Sequence, residues 1–210
     1  MYSAFAGAVT VIGVWDDHDY GLDDGGKEYP QKTSAQMKLL DFLDEPTESA
    51  RRRQKGVYTS YGFGEGSNQI KIIVLDTRYH RDSPSDTGDI LGVEQWKWLE
   101  NESNRSTARI NILVSSIQVI PKEHRWEKWS NFPKSKKRLS SLINTSQING
   151  LIIISGDRHI AEISKLDDDA MPYPLHEVTS SGLTHTWDEF TEEPNAHRVG
   201  RIHAGKTSGS

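Results

Sequence analysis

The sequence predicts an α/β fold, and three observations carry that prediction. The apolar run Ala8-Val9-Thr10-Val11-Ile12-Gly13-Val14 stops at Trp15-Asp16-Asp17-His18-Asp19-Tyr20-Gly21, and a second run, Gly150-Leu151-Ile152-Ile153-Ile154-Ser155, stops at Gly156-Asp157-Arg158-His159. Apolar, β-branched runs of this length read as buried strands. Between them, strand-like and helix-like patterns alternate, which is the order of an α/β sheet. In such sheets ligands gather at the carboxyl ends of neighbouring strands.

The elements follow in order. Residues 1–14 lack a basic leader and are too short to span a bilayer, so they read as a first strand rather than a signal peptide. Thr33 or Ser34 caps a helix bearing Met37, Leu40 and Leu43 on one face, ended by Pro46 and the arginine-rich stretch. Residues 57–61 and 70–75 read as a hairpin across a glycine-rich turn. A polar loop over 81–89 leads to a helix over 93–102 with Trp96 and Leu99 inward. Residues 110–119 form a buried strand, and 121–133 an irregular aromatic loop with His124, Trp126 and Trp129. Pro133 opens a helix bearing Leu139, Leu142 and Ile143. The Ile152 strand is followed by an edge strand over 175–179. One domain is expected over 1–187, with 188–210 a polar, flexible tail.

Composition limits the classes of function. The chain has 210 residues, a net charge of −5 and no cysteine. The negative balance argues against non-specific nucleic-acid binding. Without cysteine there are neither disulfides nor thiolate metal sites. The hydrophobic share of 34% and mean hydropathy of −0.66 are lean for a sheet covered on both faces. Arg51-Arg52-Arg53 and the basic stretch 134–138 read as solvated faces. Sequons at Asn101, Asn104 and Asn144 point mildly to a secretory or extracellular route.

Chemistry concentrates in the acidic loop. Residues 16–24 hold five carboxylates and one imidazole. Carboxylates this close repel one another unless a cation or protons neutralise them. Hard oxygen donors with one histidine suit Fe, Mn, Zn, Mg or Ca; the bland alternative is a solvated acidic loop. Asp157 and His159 flank Arg158, so they point the same way if strand geometry continues. An EF-hand fails: counting from Asp17 puts Gly21 and Leu22 at positions five and six, which breaks the pattern.

Five ordered blocks carry a resemblance. Trp15-Asp16-Asp17-His18-Asp19-Tyr20-Gly21, Leu75-Asp76-Thr77-Arg78-Tyr79-His80, Ser115-Ser116-Ile117-Gln118-Val119, Ser155-Gly156-Asp157-Arg158-His159-Ile160-Ala161-Glu162 and Thr179-Ser180-Ser181-Gly182-Leu183-Thr184 together resemble the PhoD-like (alkaline phosphatase D) branch of the calcineurin-like metallophosphoesterases. The resemblance implies an α/β sandwich of two mixed β-sheets flanked by helices. It also implies an upstream half with a Gly-Asp-x-x-Tyr motif, so the fold is expected to be incomplete at the N-terminus, with apolar sheet surface left uncovered and activity of this short form in doubt.

The implied activity is metal-dependent hydrolysis of phosphomonoesters or phosphodiesters, with two or more ions of Fe, Mn, Ca or Zn. On that analogy Asp16, Asp23, Asp157 and His159 are the metal ligands, Asp23 standing where relatives usually have Asn. His18 is either the general acid or a clamp on a phosphate oxygen. Asp17 and Asp19 orient ligands or His18, or cap the following turn. Arg158 steadies phosphate or, with greater weight, pairs structurally, and Glu162 holds a backbone group or Arg158. Asp76 and Arg78 form an internal ion pair that fixes their loop. Tyr20, Tyr79 and His80 border the pocket, with His185 and Trp187 as its far wall. His124, His176, His197 and His203 read as ordinary surface or loop histidines. The alternative is a non-catalytic protein with a weak cation site.

Overall fold

A computed structural model describes residues 9–169, 171–181, 186–187, 190 and 192–204. In chain order these contain helices α1 (Asp17–Tyr20) and α2 (Lys32–Phe42), strands β1 (Thr59–Phe63) and β2 (Ile70–Val74), helix α3 (Gly92–Asn104), strand β3 (Ile110–Ser115) and helix α4 (Pro133–Ser146). Strands β4 (Leu151–Ser155), β5 (Ala161–Leu166), β6 (Leu175–Ser180) and β7 (Arg198–His203) complete them. All seven strands join one mixed sheet in the order β1-β2-β3-β4-β6-β5-β7. The α/β organisation with mixed strands and flanking helices is as expected, although the described strands make one sheet where the resemblance implies two.

The topology follows from local patterns. Strands β1 and β2 form an antiparallel hairpin pairing Thr59 with Val74 through Phe63 with Ile70. Helix α3 then carries the chain across to β3, parallel to β2, and α4 to β4, parallel to β3. Strand β6 is parallel to β4, β5 is antiparallel to β6, and β7 is antiparallel to β5. The carboxyl ends of β2, β3, β4 and β6 therefore lie on one edge.

The main core lies between the sheet and the two longer C-terminal helices. Ile73, Leu113 and Ile153 point from the strands into a cluster with Trp96 and Leu99 of α3 and Leu139, Leu142 and Ile143 of α4. Pro133 sits in the first turn of α4, where its missing N–H costs no helical bond. The other sheet face is open. Val114 pairs with Ile154, Ile154 with Val178, Val178 with Ile163 and Ile163 with Val199, so one apolar row crosses five strands. Its last four members are exposed. Parallel strands are normally covered on both faces.

Several expectations need correction. Residues 9–14 form no strand, and residues 1–8 of that expected element lie outside the described residues; the Gly13 carbonyl accepts the Arg51 guanidinium at 2.6 Å. Helix α2 begins at Lys32, so neither Thr33 nor Ser34 caps it, and Met37 is exposed while Leu40 is buried. Strand β6 is internal, since β5 and β7 pair beyond it. Residues 198–203, expected in a flexible tail, form β7. Among the described residues no helix is long and apolar enough to cross a membrane.

Candidate metal centre

Trp15 builds the site from the acidic loop upward. It is fully buried, and its indole Nε1 donates to Asp76 Oδ1 at 2.9 Å. Asp76 also accepts the N–H groups of Val57, Arg78 and Tyr79, so it fixes the turn after β2. The neighbouring residues repeat the contact: Arg78 donates Nε to Asp16 Oδ1 at 2.9 Å, with a second, shorter bond from Nη2. Trp15-Asp16 thus clamps onto Asp76 and Arg78, more than 60 residues away in the chain. The expected ion pair between Asp76 and Arg78 is replaced by this arrangement, because Asp76 is saturated by N–H donors and the guanidinium reaches across.

Arg78 is fully buried and bound on both sides. Its Nη1 lies 2.5 Å from Glu127 Oε2, and Glu127 also binds Arg81, whose Nη2 donates to the Asp24 carbonyl. Burial, and then the nearby Arg78 charge, pull Arg81 down to about 10. Glu127 and Arg81 were invisible to motif reading: Glu127 sits in the irregular aromatic loop and Arg81 just outside the Leu75–His80 block. The one available signal was two arginines, Arg78 and Arg81, three residues apart after an apolar strand.

Asp157 meets Asp16 at the strand edge. Oxygen atoms of Asp16, Asp17 and Asp157 all lie within 4.8 Å of one another. Burial, and then the Asp16 charge, push Asp157 up to about 7. Asp17 goes the other way: burial opposes its ionisation, but the N–H groups of Asp24 and His18 and the Arg78 charge outweigh it and hold it below the usual carboxylate range. Asp17 Oδ1 accepts His18 N at 2.8 Å and Oδ2 accepts Asp24 N at 3.2 Å. Asp17 therefore caps the acidic turn while facing the other two carboxylates.

His18, Asp17 and Asp23 make a second convergent group. His18 Nε2 lies 3.8 Å from Asp23 Oδ1 and 4.0 Å from Asp17 Oδ2, with the His18 and Asp23 side chains about four-fifths exposed. Asp23 thus stands with His18 at the rim rather than with Asp16 and Asp157.

The Asp157–His159 loop departs from strand geometry. Asp157 and His159 have φ of 69° and 54°, the left-handed region that non-glycine residues seldom occupy. Alternation consequently stops at β4, and His159 does not join either convergent group among the described residues. Arg158 is buried and donates to Glu193 at 2.8 Å, which is the structural pairing; Glu162 instead accepts from Gln118 and Arg198.

The remaining expectations divide. Tyr20 is fully buried and donates its hydroxyl to the Gly26 carbonyl at 2.8 Å, so that hydroxyl faces the core rather than a substrate. Tyr79 is buried in the same cluster. His80 donates to the Lys55 carbonyl at 3.0 Å. His185 lies outside the described residues. A cleft of about 480 Å³ lies between residues 11–14 and α2, but Asp16, Asp17 and Asp157 do not line it.

A cation fits this centre on the chemistry of its donors. Three carboxylates share one small space with one guanidinium, and the group with most to gain from a positive neighbour is Asp157. All are hard oxygen donors, suited to Mg, Mn, Ca, Fe or Zn.

Comparison with known proteins gives a consistent picture. The family model described as "PhoD-like phosphatase" matches residues 1–204. Alkaline phosphatase D of Bacillus subtilis (strain 168) is 27% identical over 135 residues, which cover 54% of this chain and 23% of that protein. A solved structure described as "Structure of PhoD" superposes with a TM-score of 0.63 at 22% identity, over 80% of this chain and 38% of that one. The chain therefore spans less than half the length of either relative. The likeness to the solved structure is one of fold.

Proposed function

The chain belongs to the PhoD-like phosphatase family, and from that membership we propose that it hydrolyses phosphoesters at a metal centre formed by Asp16, Asp17 and Asp157. The observation that carries the proposal is the convergence of these three carboxylates, from two distant loops, at the carboxyl edge of the parallel strands. That edge is where α/β sheets place their ligands.

Asp16, Asp17 and Asp157 would hold the cation. When bound, it would supply positive charge for the phosphoryl oxygens and a nucleophile at neutral pH. The protein's own groups do the rest. Arg78 holds Asp16 in place and the Glu127 contact keeps Arg78 from swinging away. The two backbone bonds to Asp17 keep the acidic turn closed. His18 at the exposed rim is the group placed to give a proton to a departing alkoxide, with Asp23 and Asp17 orienting its ring.

Metal analysis of the purified chain, paired with hydrolysis of aryl phosphate mono- and diesters in added Mn, Fe, Ca and Zn, tests the proposal. Bound metal with turnover that disappears in the Asp16→Asn, Asp157→Asn double variant is the expected result. Full activity in that variant would remove these loops from the mechanism. Little metal and no turnover would leave the non-catalytic reading.

A further inference from the structure

Trp126 is 37% exposed, yet its indole N–H and its carbonyl are both bonded. Its indole Nε1 donates to Glu193 Oε1 at 2.9 Å, and its carbonyl accepts Lys128 Nζ at 3.0 Å. The other oxygen of Glu193 accepts Arg158 Nη2 at 2.8 Å, so one carboxylate ties the Trp126 ring to the residue between Asp157 and His159. Trp187 meets Trp126 edge-on at 5.3 Å between ring centroids, and Phe190 meets Trp187 edge-on at 5.3 Å. Trp187 N also donates to the His159 carbonyl at 3.1 Å. Two independent bonds thus fasten the aromatic group to the loop that carries Asp157.

An exposed indole held this firmly in one orientation loses little conformational freedom when a ligand arrives. Its ring offers apolar surface and a quadrupole face or edge to another flat ring. Arg125 lies over the Trp126 ring, 4.4 Å from its centroid, and its guanidinium attracts an anionic ligand to the indole, whereas Arg158, at 5.8 Å, is already paired with Glu193. An aromatic surface tied to the loop that carries Asp157, with the Arg125 guanidinium against it, matches a phosphoester whose leaving group is a flat ring.

We propose that Trp126, supported by Trp187 and Phe190, is a specificity platform that binds the aromatic leaving group of the phosphoester substrate. The proposal rests on the hydrolytic reading of the Asp16–Asp157 centre. It assigns Trp126 to leaving-group contact and Glu193 to positioning, since Glu193 sets the indole through Nε1 and acts on the ligand only through it.

Non-hydrolysable phosphonates test it by calorimetric titration of the manganese-loaded protein. Phenylphosphonate should bind about fivefold more tightly than methylphosphonate. In Trp126→Leu the two affinities should converge through weaker phenylphosphonate binding, with methylphosphonate unchanged. Trp126→Phe, which keeps a ring, should retain most of the preference. Equal affinity of the two phosphonates for the unsubstituted protein overturns the platform and leaves the metal centre standing, and this comparison needs no variant to fold. A preference that survives in Trp126→Leu also overturns it. Binding of neither phosphonate overturns the platform together with the phosphoryl-binding reading beneath it.

Discussion

His124 makes the acid limb of stability a sharp test of the charge distribution around the aromatic loop. It is 6% exposed, and among the described residues neither ring nitrogen has a hydrogen-bond partner. Burial, followed by the charges of Arg158, Lys128 and Lys136, lowers its pKa to about 3. In the unfolded chain the same imidazole takes a proton near 6.5. The folded value is the lower one, so between the two the unfolded state binds more protons and stability falls as pH falls. The contribution is intact above about 6.5 and is lost at about 1.4 kcal/mol per pH unit towards 3. At pH 5 the loss amounts to about 2 kcal/mol. Leucine at this position removes the titration without abandoning a hydrogen bond. Urea unfolding of the parent and His124→Leu at about pH 7.5 and about pH 5 isolates the effect, because all other titrating groups are common to both. The parent should lose about 2 kcal/mol more than the variant on acidification. Equal losses would refute the claim that His124 is held neutral by burial and its three cationic neighbours.

Three further outcomes follow from the packing and the site. Ile153 is fully buried and Ile154 exposed on the open face, so Ile153→Ala should cost about 2–5 kcal/mol in urea unfolding and Ile154→Ala under about 1; similar costs would mean that the open face is covered. Asp76→Ala strands the indole N–H of Trp15 and three backbone N–H groups, and should cost about 3–5 kcal/mol by the same assay; a cost below about 1 kcal/mol would mean the clamp is incidental. Asp157→Asn removes a carboxylate that burial and Asp16 both disfavour, so it should raise the metal-free Tm while abolishing the rise produced by manganese. An undiminished manganese response would exclude Asp157 as a ligand.

The sequence made some strands plain and hid others for a physical reason. Runs such as Ile110–Ser115 and Leu151–Ser155 are β-branched and lie in the parallel part of the sheet, where apolar side chains on both faces leave a continuous signal. Strand β5 inverts the usual rule: Glu162 and Ser164 point inward to a polar network with Gln118, Asn195 and Arg198, while Ile163 points out. Strand β7 is mostly exposed and contains Gly200, so its pattern resembles a tail. The run over 9–14 misled in the opposite direction. Its apolar, β-branched character favours a strand, but a strand also needs a neighbour, and sequence composition does not state which edges are free.

The site was legible as two local clusters, and its charge balance was not, because that balance depends on a residue from a third segment. Asp16, Asp17 and Asp157 bring three negative charges together, and Arg78 returns one positive charge to Asp16, leaving a formal −2. Glu127 and Arg81 behind it cancel each other. One divalent cation would balance that centre without a ligand. Two would leave +2, the complement of a phosphate monoester dianion, and a carboxyl with the pKa of Asp157 would then be held fully ionised by the added charge. Arg78 would then do more than fix a loop. By setting the centre at −2 rather than −3, it would leave two cations, if bound, at +2 rather than +1, and so would favour a dianionic substrate on the proposed hydrolytic reading. Replacing Arg78 by a neutral residue should therefore weaken phosphate binding while leaving the first metal ion bound as tightly or more tightly, an ordering that separates charge balance from simple loss of fold, which would weaken both.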